Sequence, residues 1–187
     1  MPKIHLIEGP VGAGKSTFAK SLALQTNGVH IALDEWFTKL FSPDRPVDHF
    51  ISWYVERKER LLELIWNHAH SILLSGSDPI LELGLIQRHG RVVFCQKVVD
   101  DGIELRIHIL DAPREVRRER VRRRNTEKGS TFSMIVPDSV FEMASDLWEA
   151  PDDNECNDFS IEFVPAVHTN TAHSAIDMDT PLKTAER

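Results

Sequence analysis

The run Gly9-Pro-Val-Gly-Ala-Gly-Lys15-Ser16 constrains this chain more than any other feature. It follows a short apolar run, Ile4-His5-Leu6-Ile7, and leads into the amphipathic stretch Phe18–Leu24. A strand, a tight glycine turn and a helix opening at Lys15 form the context in which G-x-x-x-x-G-K-S, the P-loop pattern, cradles phosphate. Glycines at 9, 12 and 14 let the backbone curl so that successive N–H groups point inward. Lys15 has the reach for β- and γ-phosphates, and the Ser16 hydroxyl suits one position on Mg²⁺. The N-terminus of the following helix adds a favourable field. A purely structural glycine turn is the alternative, and the strand before it and the helix after it weigh against that.

The chain has 187 residues, enough for one compact domain with a sizeable core. Apolar residues make up 41% and charged residues 27%, an ordinary globular balance. Cys95 and Cys156 supply neither a disulfide framework nor a metal-ligand spacing, so the expectation is a reduced, cytoplasmic protein. No apolar run is long enough for a membrane span and a core strand begins at once, so neither a span nor secretion is expected. The net charge is −7, yet residues 114–124 hold seven arginines against two glutamates. An acidic surface argues against a broad nucleic-acid face, and one concentrated basic segment suits a small, highly charged ligand. For most of the seven arginines the plain reading is a solvated helix face.

The element order reads as α/β. A helix over about 15–26 precedes a second strand, Gly28–Leu33, ended by Asp34-Glu35. Pro43, Asp44 and Pro46 predict a loop over 36–46, and a long amphipathic helix spans Val47–His68. Ser71–Ser75 reads as a buried third strand, and Pro79 opens a helix to about Gly90, with a second helical piece over Arg91–Val99. Ile103–Leu110 is a fourth strand, and Pro113 opens the arginine-rich helix. Asn125–Ser133 is a polar loop, Pro137–Trp148 a helix and Phe159–Val164 a fifth strand. Residues 165–187 read as a weakly structured tail after a domain over 1–164.

Over about residues 3–164 the chain resembles the nucleotide- and nucleoside-kinase-like branch of P-loop proteins. More narrowly it resembles small AAA-type ATP-binding and zeta-toxin-like kinases, a group that includes polynucleotide kinase domains and chloramphenicol phosphotransferase. The resemblance implies a three-layer P-loop NTPase fold with a five-stranded parallel sheet in the order 2-3-1-4-5. It implies ATP and Mg²⁺ as cofactors. Gly9, Gly12, Ala13, Gly14, Lys15, Ser16 and Thr17 are then the nucleotide-binding residues, with Ser16 on the metal. Asp34 stands where such kinases place the aspartate that faces the acceptor hydroxyl. Arg120 and Arg124 match the spaced arginine pair of a lid helix over about 113–126. The segment Pro151–Asn154 takes the place of the adenine contact, and plain acidic surface is its alternative. One departure stands out: a third strand ending in Leu74-Ser75-Gly76-Ser77-Asp78 lacks a terminal acidic residue, leaving the metal to Ser16 and waters or to Asp78.

The catalytic candidates are therefore Lys15, Asp34, Arg120 and Arg124. Asp34 is suited to orient an acceptor hydroxyl and take its proton; a carboxylate that meets Mg²⁺ through the metal's own ligands or an N-cap for the segment at Trp36 are its other readings. Glu35 reads as a solvent-facing or capping residue. Arg117 lies on the side of Arg120, whereas Arg114, Arg118 and Arg122 point elsewhere. Trp36, Phe37, Phe41, Trp53 and Tyr54 either line an acceptor cleft or bury the long helix. The leading expectation is an ATP-dependent kinase acting on a hydroxyl of a small molecule. The alternatives are a P-loop ATPase serving as a switch or interaction module, a polynucleotide 5′-hydroxyl kinase, and a nucleotide-binding module without catalysis. The acidic chain outside 114–124 disfavours nucleic acid as acceptor.

Overall fold

Ile4–Glu8 forms β1, and all five of its residues are buried, as a central strand covered on both faces requires. The computed structural model describes residues 1–129 and 132–165. After β1 come α1 (Lys15–Thr26), β2 (Val29–Ala32), α2 (Leu33–Phe41), a 3₁₀ turn (Ser42–Asp44) and α3 (Phe50–Leu74). β3 (Pro79–Glu82), α4 (Arg88–Asp100), β4 (Leu105–Leu110) and α5 (Arg114–Glu127) follow. The described chain closes with α6 (Asp138–Asp146), α7 (Asp153–Asp158) and β5 (Ile161–Val164).

The sheet has five strands in the order β2-β3-β1-β4-β5, and every pairing is parallel. Its helices form a layer on each face. Ile4, Leu6, Ile31, Leu81 and Ile107 pack on one face against Phe37 of α2, Leu61, Ile65 and Ala69 of α3, and Cys95 and Val98 of α4. Ile7, Ile80 and Leu110 pack on the other against Ala19, Phe18 and Leu22 of α1. The register sets Glu82 level with Ala32, and Leu81 level with Leu6. Glu82, Glu8 and Asp34 thus gather at the carboxyl edge of the sheet, where ligands bind in open α/β folds.

Three expectations change. Ser71–Ser75 is not a strand: Ser71–Leu74 is the last turn of α3. Burial at Leu61, Ile65, Ala69 and Ile72, with Leu74 at 89% exposure, follows the helical period instead of a buried strand. The third strand is Pro79–Glu82, where a helix was expected; proline is tolerated at the first position of a strand. Its final residue is acidic, so the departure from the kinase pattern noted above disappears. Asp78 precedes this strand and accepts the Lys3 backbone N–H at 2.9 Å, at the opposite edge from the P-loop, which removes it as a metal candidate.

The region expected as a loop over 36–46 is largely helix. α2 begins at Leu33, and its N-cap is Ala32, so Asp34 and Glu35 occupy its first turn and neither caps it through a side chain. Acidic residues are favoured there by the helix field. Residues 153–158 form α7, a short helix capped by the Asp152 side chain, which accepts the Glu155 N–H at 3.0 Å. α5 continues to Glu127, past the expected start of the polar loop, and ends at Lys128 in a left-handed conformation. Of the expected tail, residues 166–187 lie outside the described residues. Among the described residues no helix is long and apolar enough to cross a membrane.

Candidate active site

The turn from β1 to α1 is fixed by contacts that leave no room for side chains. A Cβ on Gly9 would lie 2.1 Å from the Leu110 carbonyl oxygen, and one on Gly12 would lie 2.6 Å from the Arg117 carbonyl oxygen. Both glycines have positive φ, 150° and 80°, which only glycine adopts cheaply. Ala13 is buried, Gly14 is the residue before α1, and Thr17 is exposed on its first turn. The Lys15 ammonium arches back over the loop and donates to the carbonyls of Gly9 at 2.8 Å and Pro10 at 3.1 Å.

Next to this loop, Ser16 Oγ donates to Glu82 Oε1 at 2.9 Å. His30 Nε2 lies 3.3 Å from the other oxygen of the same carboxylate. Burial pushes the Glu82 pKa up, but the His30 contact, the Lys15 charge and the Ser16 hydroxyl outweigh it, and the net shift is downward. Glu82 is therefore a firmly ionised carboxylate beside the P-loop serine. Hydroxyl and carboxylate oxygens together are the hard donors that Mg²⁺ takes, and such sites use only one or two carboxylates besides phosphate oxygens and waters.

Asp34 is exposed in the first turn of α2. The surrounding protein raises its pKa; Lys15 opposes this, Glu82 adds to it, and Lys58 and Arg124 oppose it. Because water reaches its oxygens, access governs its chemistry more than depth does. Tyr54 stands close enough for Asp34 to push its hydroxyl up further, to about 12 with burial as the larger cause. Glu35 is half-exposed and paired with Lys39 at 2.6 Å.

Glu8, the last residue of β1, is fully buried. Its Oε2 accepts the Leu85 N–H at 3.0 Å, while Oε1 is buried without a hydrogen-bond partner among the described residues. Burial pushes its pKa up to about 7, with the Lys15 charge opposing. The Leu85 carbonyl accepts from Arg91, which is itself fully buried and bidentate to Glu155 at 2.8 Å on both sides.

The arginines of α5 divide by face. Arg114, Arg118 and Arg122 pair with acids of α6: Arg114 with Asp146 at 2.8 Å, Arg118 with Glu142 at 2.7 Å and Arg122 with Asp138 at 2.7 Å. They are interhelical ties, where a solvated face was expected. Arg117 is also structural. Its guanidinium donates to the carbonyls of Ala112 at 2.9 Å and Val11 at 3.0 Å and to Ser145 Oγ at 3.0 Å, locking the base of α5 to the P-loop. Arg120 and Arg124, one turn apart, face the site. Arg120 Nη1 lies 3.5 Å from the Ala13 carbonyl oxygen, and Arg124 is near enough to Asp34 and Glu82 for both to act on it.

The aromatic residues split in the same way. Phe37 is buried and packs edge-on against Trp53 at 5.7 Å and beside Tyr54 at 4.9 Å, joining α2 to α3. Tyr54 alone among them is tied electrostatically to Asp34. The acids around Pro151–Asn154 are engaged in the fold: Asp152 caps α7 and lies 3.1 Å from Arg88. Sequence reading missed Glu82, Glu8, Lys58 and the Arg91–Glu155 pair. For Glu82 a signal existed, an apolar run closed by an acid after Pro79, but the helix prediction over the same residues hid it.

An all-parallel 2-3-1-4-5 sheet with a P-loop after its central strand is a P-loop nucleotide-binding fold. Residues 4–151 match a family described as an AAA domain; the chain belongs to that family. No curated protein matches the chain. Among solved structures it is similar to an unliganded sugar kinase from Janibacter sp. HTCC2649, at 18% identity and a TM-score of 0.58, covering 88% of this chain and 85% of that one. It is similar to a gluconokinase from Sinorhizobium meliloti 1021, at 18% identity and a TM-score of 0.55, covering 89% and 84%. It also resembles a chain of the Pnkp1/Rnl/Hen1 RNA repair complex, at 20% identity and a TM-score of 0.61, covering 96% of this chain and 53% of that one. At such identities the likeness concerns the fold.

Proposed function

We propose that the protein is a kinase that transfers the γ-phosphoryl group of ATP to a hydroxyl of a small molecule. The observation that carries this reading is the convergence of Lys15, Arg124, Glu82 and Asp34 at one edge of the sheet. A cation pair for phosphates, a carboxylate for a metal and a second, water-accessible carboxylate for an acceptor are the parts phosphoryl transfer needs.

In this mechanism the P-loop amides and Lys15 hold the β- and γ-phosphates, Lys15 exchanging the Gly9 and Pro10 carbonyls for phosphate oxygens. Ser16 and Glu82 would hold Mg²⁺, which when bound neutralises charge between the phosphates. Arg120 and Arg124 oppose the charge that develops on the moving phosphoryl group. Asp34 orients the acceptor hydroxyl in line and takes its proton late in the transfer, a role its raised pKa favours. With Asp34 open to water and clear of capping duty, acceptor chemistry suits it better than a purely structural role.

The test is transfer from γ-labelled Mg-ATP to fractionated metabolites, nucleosides and sugars, run beside Lys15→Ala. A labelled acceptor formed only by the intact protein is the expected result. Free phosphate without a labelled acceptor would replace this reading with an ATPase.

A further inference from the structure

Lys58 lies on α3, one turn after Tyr54, and is half-buried. Its ammonium makes one hydrogen bond, a long one of 3.4 Å to the Gly84 carbonyl, two residues beyond Glu82. Among the described residues no carboxylate lies within 4.0 Å of it. Its neighbours on α3 are otherwise engaged: Arg57 lies over the Trp53 ring and donates to the Trp53 carbonyl, and Arg60 pairs with Glu56. Gly84 borders open space, since a Cβ there would meet nothing within 4 Å. Removing a cation from water without a counter-ion is unfavourable, so a half-buried ammonium beside open space has capacity for an anion.

We propose that Lys58 binds the acceptor, and that the acceptor is a small hydroxylated molecule carrying one carboxylate. This rests on the kinase reading above, in which Lys15, Arg120 and Arg124 serve the nucleotide phosphates. Among the described residues Lys58 is then the cation left on the acceptor side, where Asp34 and Tyr54 also stand. One ammonium matches one negative charge. A dianionic phosphate ester would face Asp34, Glu82 and the triphosphate with a single compensating cation, and like charges at such range repel. Lys58 on α3 is near enough to Asp34 on α2 for its charge to act on that carboxylate, so a reacting hydroxyl beside Asp34 and a carboxylate at Lys58 suit the two ends of a short hydroxy acid.

The experiment measures transfer from γ-labelled Mg-ATP to four- to six-carbon aldonic acids, to alditols of the same length and to aldonic acid phosphates. Wild type, Lys58→Met and Lys58→Arg are compared, with ATP affinity and melting temperature as controls for the fold. The expected result is a preference for the unphosphorylated acids. Lys58→Met should raise the KM for the acid about 10- to 100-fold, as loss of a hydrogen bond to a charged group predicts. Its kcat should stay within about threefold, and Lys58→Arg should recover most of the affinity. Equal use of acids and alditols, a preference for phosphates, or an unchanged KM in Lys58→Met overturns the inference and leaves the kinase reading intact. Transfer to none of these acceptors while ATP binds overturns the inference. If the wider fractionated pool is also unlabelled, the kinase reading falls with it.

Discussion

Ser16 Oγ and Glu82 Oε1, 2.9 Å apart, tie the first turn of α1 to the carboxyl end of β3. The contact puts a hydroxyl and an ionised carboxylate side by side, the hard oxygen donors that would hold Mg²⁺ in the proposed kinase. Glu82→Gln keeps the shape and a hydrogen bond but removes the charge. The expected outcome is a fall in kcat of about 100-fold or more with a raised Mg²⁺ requirement. Magnesium titrations of initial rate check it. An unchanged Mg²⁺ dependence would make Glu82 a partner of Ser16 and His30 only.

Asp34 predicts a pH effect of definite sign. The surrounding protein raises its pKa, so its proton-accepting form is lost, as pH falls, sooner than for an ordinary aspartate. The acid limb of kcat should reflect this, and Asp34→Asn should remove the limb and lower kcat by about 10²–10⁴-fold. Titration of ATP binding to the variant should show affinity within a few-fold of wild type. A parallel loss of affinity would assign Asp34 to the metal.

Arg117 and Arg124 are seven residues apart on the same helix and should fail in different ways. Arg124 has a buried Nε without a hydrogen-bond partner among the described residues and feels Asp34 and Glu82; Arg124→Ala should lower kcat by about 10²–10³-fold with little change in melting temperature. Arg117 spends its guanidinium on the Val11 and Ala112 carbonyls and Ser145. Arg117→Ala should cost about 1.5–3 kcal/mol of stability, read by denaturant unfolding. Comparable kinetic defects at equal stability would erase the distinction.

The P-loop was legible because its function depends on a local pattern: glycines at fixed spacing, then Lys15 and Ser16. Asp34 stands out in the sequence because it closes a short apolar strand, and its proposed role comes from the resemblance; the structure sets it in the first turn of α2. The third strand was lost because Ile72-Leu73-Leu74 and Ile80-Leu81 are apolar runs of similar length, and only tertiary packing shows that the first completes α3. Proline at 79 then favoured a helix start over a strand start. Glu8 was hidden differently. A glutamate ending an apolar strand reads as the strand's polar limit, and its burial depends on Leu85 and Arg91, which are distant in sequence.

Two buried groups bend the stability profile in opposite directions. His108, 2.9 Å from His5 across β1 and β4, is lowered from 6.5 to about 4, mainly by burial. The unfolded chain binds more protons there, so its contribution is complete above pH 6.5 and is lost as pH falls toward 4. Glu8 is raised from 4.5 to about 7 by burial; its folded form holds the proton longer, so stability declines as pH rises from 4.5 through 7. Glu8→Gln keeps an acceptor for the Leu85 N–H and removes the buried charge. It should match wild type near pH 5 and exceed it by about 1–3 kcal/mol near pH 8. Thermal melts at the two pH values check this; equal differences at both would show that Glu8 does not titrate with folding.

Arg91 and Glu155 make the last case, because a fully buried bidentate pair joins α4 to α7 beside the segment that Glu8 fixes. Arg91 is the buried cation bidentate to Glu155, which also lies 3.3 Å from the half-exposed Arg88, so removing either member of the pair leaves its partner poorly compensated in a medium that solvates it poorly. Arg91→Met and Glu155→Gln should each cost about 3–5 kcal/mol, whereas replacing both with apolar residues of similar volume should cost much less. Urea unfolding of the two single variants and the double variant separates these outcomes. Additive losses would mean that the two side chains stabilise the fold through packing around Leu85 and Trp148, independently of their charges.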